Sequence, residues 1–481
     1  MFNPLRIFAA KRRSQYLTGV EFAGESWDWK RLAQGVIAFG GIGSGKSFST
    51  EALIEACIRA GCPLLSTAVK PDEYERYEKI CKRIGAMERL VRICPGSPHQ
   101  INLLEELTKE PHGSVAHAAN FILNLSDIAK RASPGGGANE SFWRNMEESA
   151  AMKAITLCRM SLKNPRIPDV WEVIKTGPMD AAHARKPEFT SKADRYRKSG
   201  KPIRRNLCAE LLLHAERIHT PDQADDLASI GSFFLNELPA VDKIRGSVVA
   251  ALGGVLDRFC VEPWKSALSP KATTLTPEII EKNRLVCVLD YPIMTYHTPA
   301  RLFQAAWLML TQMHLMRRPA STVDVPFILA RDEAAWTLSP EWDSAAHNVL
   351  RSQKAVSISI VQCLNTLEAA LGGGQKAHHE AMAFASNHMA KLYFSSNSAD
   401  TSKWASSLIG QHKELSFSGG GGGRRCQPSG DPWDDFLGVS SDTHWSTSWQ
   451  PLVRPEAFAQ LPVGVGILLR DGVHRVVDFR K

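Results

Sequence analysis

Eight residues constrain this chain more than any others. GGIGSGKS, Gly40 to Ser47, follows the apolar run Val36 to Phe39 and opens a segment, Lys46 to Ala60, whose apolar residues recur at helical spacing. The pattern G-x-x-x-x-G-K-[ST] between a buried strand and a helix belongs to parallel α/β architecture, with the loop at the carboxyl edge of a sheet. Its physics is specific. Glycines let backbone N–H groups turn inward, the helix N-terminus adds its dipole, Lys46 neutralises terminal phosphates, and Ser47 offers a hydroxyl to Mg²⁺. Gly40, Gly41, Ile42, Gly43, Ser44, Gly45, Lys46 and Ser47 are therefore expected to bind ATP with Mg²⁺.

The surrounding chain keeps that rhythm. Buried runs at Pro63 to Val69 and Leu90 to Ile93 read as further strands, and amphipathic helices follow around Val115 to Lys130 and Glu140 to Met160, separated by SPGGGANE. From Met160 to about Pro239 strand-like runs vanish and helical patterns remain, which reads as an all-α insertion. After Lys243 strands return at Leu285 to Leu289, Phe327 to Ala330, Val356 to Val361, Lys391 to Phe394, Val463 to Leu469 and His474 to Phe479. Ser418 to Arg425, SGGGGGRR, and the polar stretch after it read as flexible. The expected fold is an α/β P-loop domain with a mostly parallel central sheet, divided as an N-terminal segment 1–30, a first part 31–160, an all-α insertion 161–240 and a second part 241–481.

Composition narrows the setting. The 481 residues carry a net charge of +8, and nine Lys or Arg fall between Arg185 and Arg205 with only Glu188 and Asp194 as acids. That stretch is either a solvated linker or a contact for a polyanion. Ten cysteines contain no C-x-x-C pair, which argues against a zinc ribbon and for reduced, buried thiols in the cytoplasm. The most apolar stretch, Leu302 to Met316, is broken by Gln304, Gln312 and His314, so no membrane span is expected.

A P-loop needs an acid at a neighbouring strand end to hold Mg²⁺. LVCVLD ends in Asp290, and PFILARDEAAW holds Asp332 and Glu333. The second pair is favoured, since Asp332 can serve the metal while Glu333 orients or deprotonates water. Gln362, at the end of Val356 to Val361, is placed to bond the γ-phosphate or the attacking water, or is simply a surface glutamine. No N-K-x-D motif for guanine exists, LSFSGGGG follows instead of precedes the acidic strand as an ABC signature would, and His378, His379 and Glu380 lack the spacing of a zinc helix.

The order of these parts resembles the type IV secretion coupling proteins, within the FtsK/HerA-type hexameric translocases. It is carried by the P-loop, Phe142 and Trp143 on a helix, the all-α insertion, LPAVDKIRGSVVAALGGVLDRF (Leu238 to Phe259), the Asp332–Glu333 strand, RSQKAVSISIVQ (Arg351 to Gln362) and LPVGVGILLRDGVHRV. The resemblance implies a RecA-like fold, a catalytic role for Lys46, Glu333, Gln362 and Arg351, and metal binding by Ser47 and Asp332. Arg351 matches the arginine that reaches a neighbouring subunit's nucleotide. The segment AVKP, Ala68 to Pro71, resembles the family's aspartate-x-lysine-glycine turn, with Ala68 and Pro71 in place of its acid and glycine. Arg331 breaks the apolar run before Asp332, either pairing with an acid or serving as a second arginine candidate.

The expected function is an ATP-driven, ring-forming DNA translocase with cofactors ATP and Mg²⁺. Implied partners are DNA, held by its backbone without sequence preference, further copies of the chain in a homo-oligomer of hexameric type, and secretion-channel or relaxase-type proteins. The expected location is cytoplasmic, peripheral at the inner membrane through a partner. Two other readings stay open: an ATPase delivering protein substrates to a secretion or defence assembly, and a slowly hydrolysing nucleotide-gated scaffold.

Overall fold

The computed structural model describes residues 19–111, 113–131, 140–189, 206–240, 242–420 and 442–480. A short hairpin, β1 (Gly19–Phe22) and β2 (Glu25–Asp28), leads into β3 (Val36–Phe39) and the loop of interest. The later strands are β4 (Leu64–Thr67), β5 (Leu90–Ile93), β6 (Val286–Leu289), β7 (Phe327–Arg331), β8 (Ala355–Val361) and β9 (Ala390–Tyr393). An antiparallel ribbon, β10 (Gln411–Gly420) with β11 (Asp442–Pro451), precedes the final hairpin of β12 (Val465–Arg470) and β13 (Val473–Asp478).

One nine-stranded sheet organises the chain, in the order β13-β12-β9-β3-β8-β7-β4-β6-β5. From β9 to β5 every pairing is parallel, and only the terminal hairpin runs antiparallel. Parallel strands covered on both faces need apolar residues at consecutive positions. Val36 and Ala38 accordingly enter the core formed with helix Lys46–Arg59 and helix Glu73–Ile84, while Ile37 and Phe39 pack with helices Leu364–Ala370, Gly374–Ser386 and Ala399–Ile409 on the other face. This is the expected α/β architecture with a mostly parallel central sheet and a helical addition.

The helical body is broader than the stretch 161–240. Helices Val115–Arg131 and Glu140–Ser161 precede it and Asp242–Phe259 follows it; these three pack on one another, Glu140–Ser161 and Asp242–Phe259 also pack on Ile167–Thr176, and Glu140–Ser161 packs on Leu207–Ile218. Their shared apolar core continues into β4, β5 and β6. The amphipathic helices before residue 161 bury their apolar stripes in that core, where Leu103–Thr108 and Ile293–Arg317 also pack on Val115–Arg131. Residues 132–139 and 190–205, and with them most of the basic stretch, lie outside the described residues. No described helix is long and apolar enough to cross a membrane.

The ribbon β10–β11 corrects the reading of a flexible segment from residue 418: residues 411–420 and 442–451 pair strand to strand, and 421–441 lie outside the described residues. Serine, threonine and glycine make up four of the ten residues in each strand, and the apolar residues, Leu415, Phe417, Trp445 and Trp449, are too few to form a continuous strand-like run.

Candidate active site

The loop after β3 is held from three sides by backbone bonds. Gly40 N–H donates to the Gln362 carbonyl at 3.1 Å, Gly41 N–H to the Ser395 carbonyl at 2.7 Å, and Gly464 N–H to the Ser44 carbonyl at 3.0 Å. Gly45 caps the following helix at φ 95°, where an L side chain is strained, and a Cβ there would lie 2.8 Å from Gly464 Cα. Lys46 turns back into the loop, its Nζ donating to the carbonyls of Gly40 at 2.5 Å and Gly41 at 2.8 Å. Ser44 Oγ is buried without a hydrogen-bond partner among the described residues. A buried lysine and an orphan hydroxyl facing one loop are what a phosphate chain would satisfy.

Sheet order sorts the carboxylates. β7 lies two positions from β3, with β8 between, whereas β6 lies four positions away, or roughly 19 Å at the usual strand spacing. Asp332 and Glu333 follow β7, and Gln362 follows β8. Asp290, after β6, is ion-paired with Arg92 at 2.6 Å. Glu333 adopts a left-handed backbone, φ 49° and ψ 60°, a strained conformation for a residue with a side chain. Burial and then the Asp332 charge push the Glu333 carboxyl above its ordinary range, opposed by Lys46, by Lys70 and by a side-chain bond from Gln362. Burial lowers the Lys46 ammonium, against the pull of Glu333 and Asp332. The structure thus brings Lys46, Asp332, Glu333 and Gln362 together.

Arg351 is not among them. It caps helix Pro340–Leu350 at the start of β8, the opposite end from Gln362, and seven strand residues span roughly 23 Å. There it is exposed and lines a cleft of about 210 Å³ with Gln34, His347, Ser357 and Met389. Within one chain it cannot reach the loop.

Two residues absent from the sequence reading join the site. Glu73 is buried beside Asp332, and burial first and then Asp332 raise its carboxyl to about 7, while Arg76 works the other way. Arg76 meets Glu73 at 3.3 Å and Glu51 at 3.2 Å, and donates to the Ser47 carbonyl at 2.7 Å, tying helix Glu73–Ile84 to the loop's own helix. The i,i+3 spacing of Glu73 and Arg76 was the one visible signal, and it looks like any surface pair. Lys70, exposed, adds a positive charge felt by Lys46, Glu73 and Glu333. Arg331 pairs with an acid, Asp343, at 2.7 Å. His378 lies on a helix and meets Glu368 at 2.6 Å.

Comparison with known proteins bears on the fold. Residues 326–463 match the family described as the TraM recognition site of TraD and TraG. No curated protein sequence matches the chain. The conjugative coupling protein TrwBdeltaN70, in its unbound form, is 13% identical at a TM-score of 0.57, covering 96% of this chain and 88% of that one. TrwB in complex with ADP and Mg²⁺ gives the same identity, score and coverage. VirB4 of Thermoanaerobacter pseudethanolicus is 11% identical at a TM-score of 0.50, covering 97% of this chain and 96% of that one. The fold is that of these proteins, and the resemblance to type IV secretion coupling proteins read from the sequence holds.

Proposed function

We propose that this chain is an ATP-driven, ring-forming DNA translocase of the coupling-protein kind. The observation that carries the reading is the gathering of Lys46, Asp332, Glu333 and Gln362 at one sheet edge, around a loop that folds its buried lysine back onto its own carbonyls and buries the Ser44 hydroxyl without a partner among the described residues. The loop amides and Lys46 bind and orient the phosphates of ATP. Ser47 and Asp332 would hold Mg²⁺, which when bound supplies positive charge to the phosphate oxygens. Glu333 takes a proton from the attacking water, and Gln362 orients Glu333 and that water. Arg351, too far from its own loop, serves the site of the neighbouring subunit. TrwB, whose fold this chain shares, is described in complex with ADP and Mg²⁺, and that supports the choice of nucleotide and metal.

DNA enters through its backbone, so binding falls steeply with salt and depends little on sequence. Protein partners of the relaxase or channel type belong to the same reading, and the family matched over residues 326–463, described as a recognition site for TraM, supports a protein partner there. The test is the ATPase rate with no DNA, with single strands and with duplex, alongside mass in solution. DNA-stimulated turnover by an oligomer supports the translocase. Turnover indifferent to DNA turns the reading to protein delivery, and negligible turnover to a nucleotide-gated scaffold.

A further inference from the structure

A line of buried and half-buried polar side chains crosses the chain outside the chemistry above. It begins at Arg331, the last residue of β7 and the neighbour of Asp332, whose side chain is fully buried. One guanidinium nitrogen meets Asp343 Oδ1 at 2.7 Å, the guanidinium lies 5.4 Å from the centre of the Phe384 ring, and Nε and Nη1 have no hydrogen-bond partner among the described residues. Asp343 accepts two further bonds, from Gln312 Nε2 and from the Ser339 N–H, both at 2.9 Å.

Asp343 sits in the first turns of helix Pro340–Leu350. One turn on, His347 Nδ1 donates to the Asp343 carbonyl at 2.7 Å, and its Nε2 lies 3.3 Å from His388 Nε2. His388 Nε2 in turn stands 3.1 Å from Ser357 Oγ on β8. His347, Ser357 and Arg351 line the same cleft. The line therefore starts beside Asp332 and ends beside Arg351.

Packing alone does not call for such a line, because a buried ion pair loses about as much on desolvation as it regains, and well-packed apolar residues of similar volume hold two elements together as well. What the pair provides is a fixed grip. Arg331 holds the start of a rigid helix about 16 Å long, and Arg351 caps its other end. A shift at the tip of β7 moves that rod, and with it Arg351.

We infer that Arg331 and Asp343 are positioning residues that couple the Asp332 end of one subunit's nucleotide site to the Arg351 which the same subunit presents to its neighbour. The inference rests on the proposed ring with Arg351 acting in trans.

Two measurements test it. In the wild-type chain, hydrogen exchange is followed with and without Mg²⁺ and the ATP analogue adenylyl imidodiphosphate. Coupling requires changed protection at residues 349–354 as well as at the loop 40–47, whatever Arg351 does in trans; a change confined to the loop overturns the inference. The second uses mixed rings. Glu333→Gln subunits supply Arg351 but do not hydrolyse, and Arg351→Ala subunits do the reverse, so their mixture recovers turnover. The paired replacement Arg331→Met with Asp343→Leu, which conserves volume, is then placed in one partner at a time. Placed in the Glu333→Gln subunits, it should lower the recovered turnover by roughly ten-fold or more, a fraction of what an arginine finger supplies. Placed in the Arg351→Ala subunits, it should leave turnover within about two-fold, since the finger-presenting subunit is intact. Loss only in the second placement makes the pair a local support for Asp332, and equal loss or no loss in both makes it packing; each overturns the inference. Absence of recovery in the unmodified mixture refutes the trans role of Arg351 itself, and the inference falls with it.

Discussion

The contact between Gly45 and Gly464 allows a paired substitution whose two halves should behave differently. Both glycines have positive φ, 95° and 77°, so alanine at either costs about 1–2 kcal/mol of backbone strain. The Cβ of Gly464→Ala would meet Arg480 Cγ at 2.9 Å, but that side chain is half exposed and can swing aside. The Cβ of Gly45→Ala would meet the backbone N and Cα of Gly464, each at 2.8 Å, and backbone must move. The seam then loses the Gly464 N–H bond to the Ser44 carbonyl, a further ~0.5–1.5 kcal/mol. Gly464→Ala should therefore cost stability only, with nucleotide binding within about three-fold, while Gly45→Ala should cost about 2–4 kcal/mol and weaken binding by up to about 100-fold. Urea unfolding and titration with a fluorescent ATP analogue read the two quantities separately. If Gly45→Ala binds like wild type, the seam does not shape the loop; if Gly464→Ala weakens nucleotide binding as far as Gly45→Ala does, Arg480 does not yield and the asymmetry argued from the two contacts is refuted.

Lys46→Ala should abolish tight ATP binding, whereas Glu333→Gln should bind normally and lose ~10²–10⁴ in single-turnover rate. Asp290→Asn, four strands from β3 and paired with Arg92, should leave the ATPase rate within about two-fold; a large loss would return Asp290 to the metal site. Stability should fall as pH drops below 6.5. Burial and then Arg331 lower the pKa of His347, and burial and then His347 lower that of His388, so the unfolded chain binds more protons just below 6.5. Each imidazole contributes a slope approaching ~1.4 kcal/mol per pH unit. Urea midpoints between pH 5 and 8 should show a shallower slope in His388→Gln than in wild type, and equal slopes would refute the assignment.

The central strands could be read in sequence because a parallel sheet buried on both faces leaves uninterrupted apolar runs such as VIAF and VCVL. The loop and the acids after β7 were legible for the same reason, since each follows such a run. What escaped is what depends on distant partners. The ribbon β10–β11 mixes polar residues with a few aromatic and apolar ones and carries no continuous apolar run, and its register rests on backbone bonds between segments over twenty residues apart. Glu73 looks like any helix-start acid until the sheet sets it beside Asp332. Arg331 was visible as an anomaly in an apolar run, but choosing between its two readings needed the helix turn that brings Asp343 to it. The apolar stripes of Val115–Arg131 and Glu140–Ser161 marked helices without saying that they close on Asp242–Phe259.

The seam at Gly464 also bears on how the protein is made. The ribosome releases the phosphate loop early, yet Gln362, Ser395 and Gly464, whose backbones hold it from three sides, emerge one after another much later. A nascent chain that carries the loop, its lysine and even both acids after β7 still lacks the last clamp. Competence to bind nucleotide should thus arise late in translation, once the lead-in to β12 has docked, and fragments ending before that point should leave the ribosome without consuming ATP.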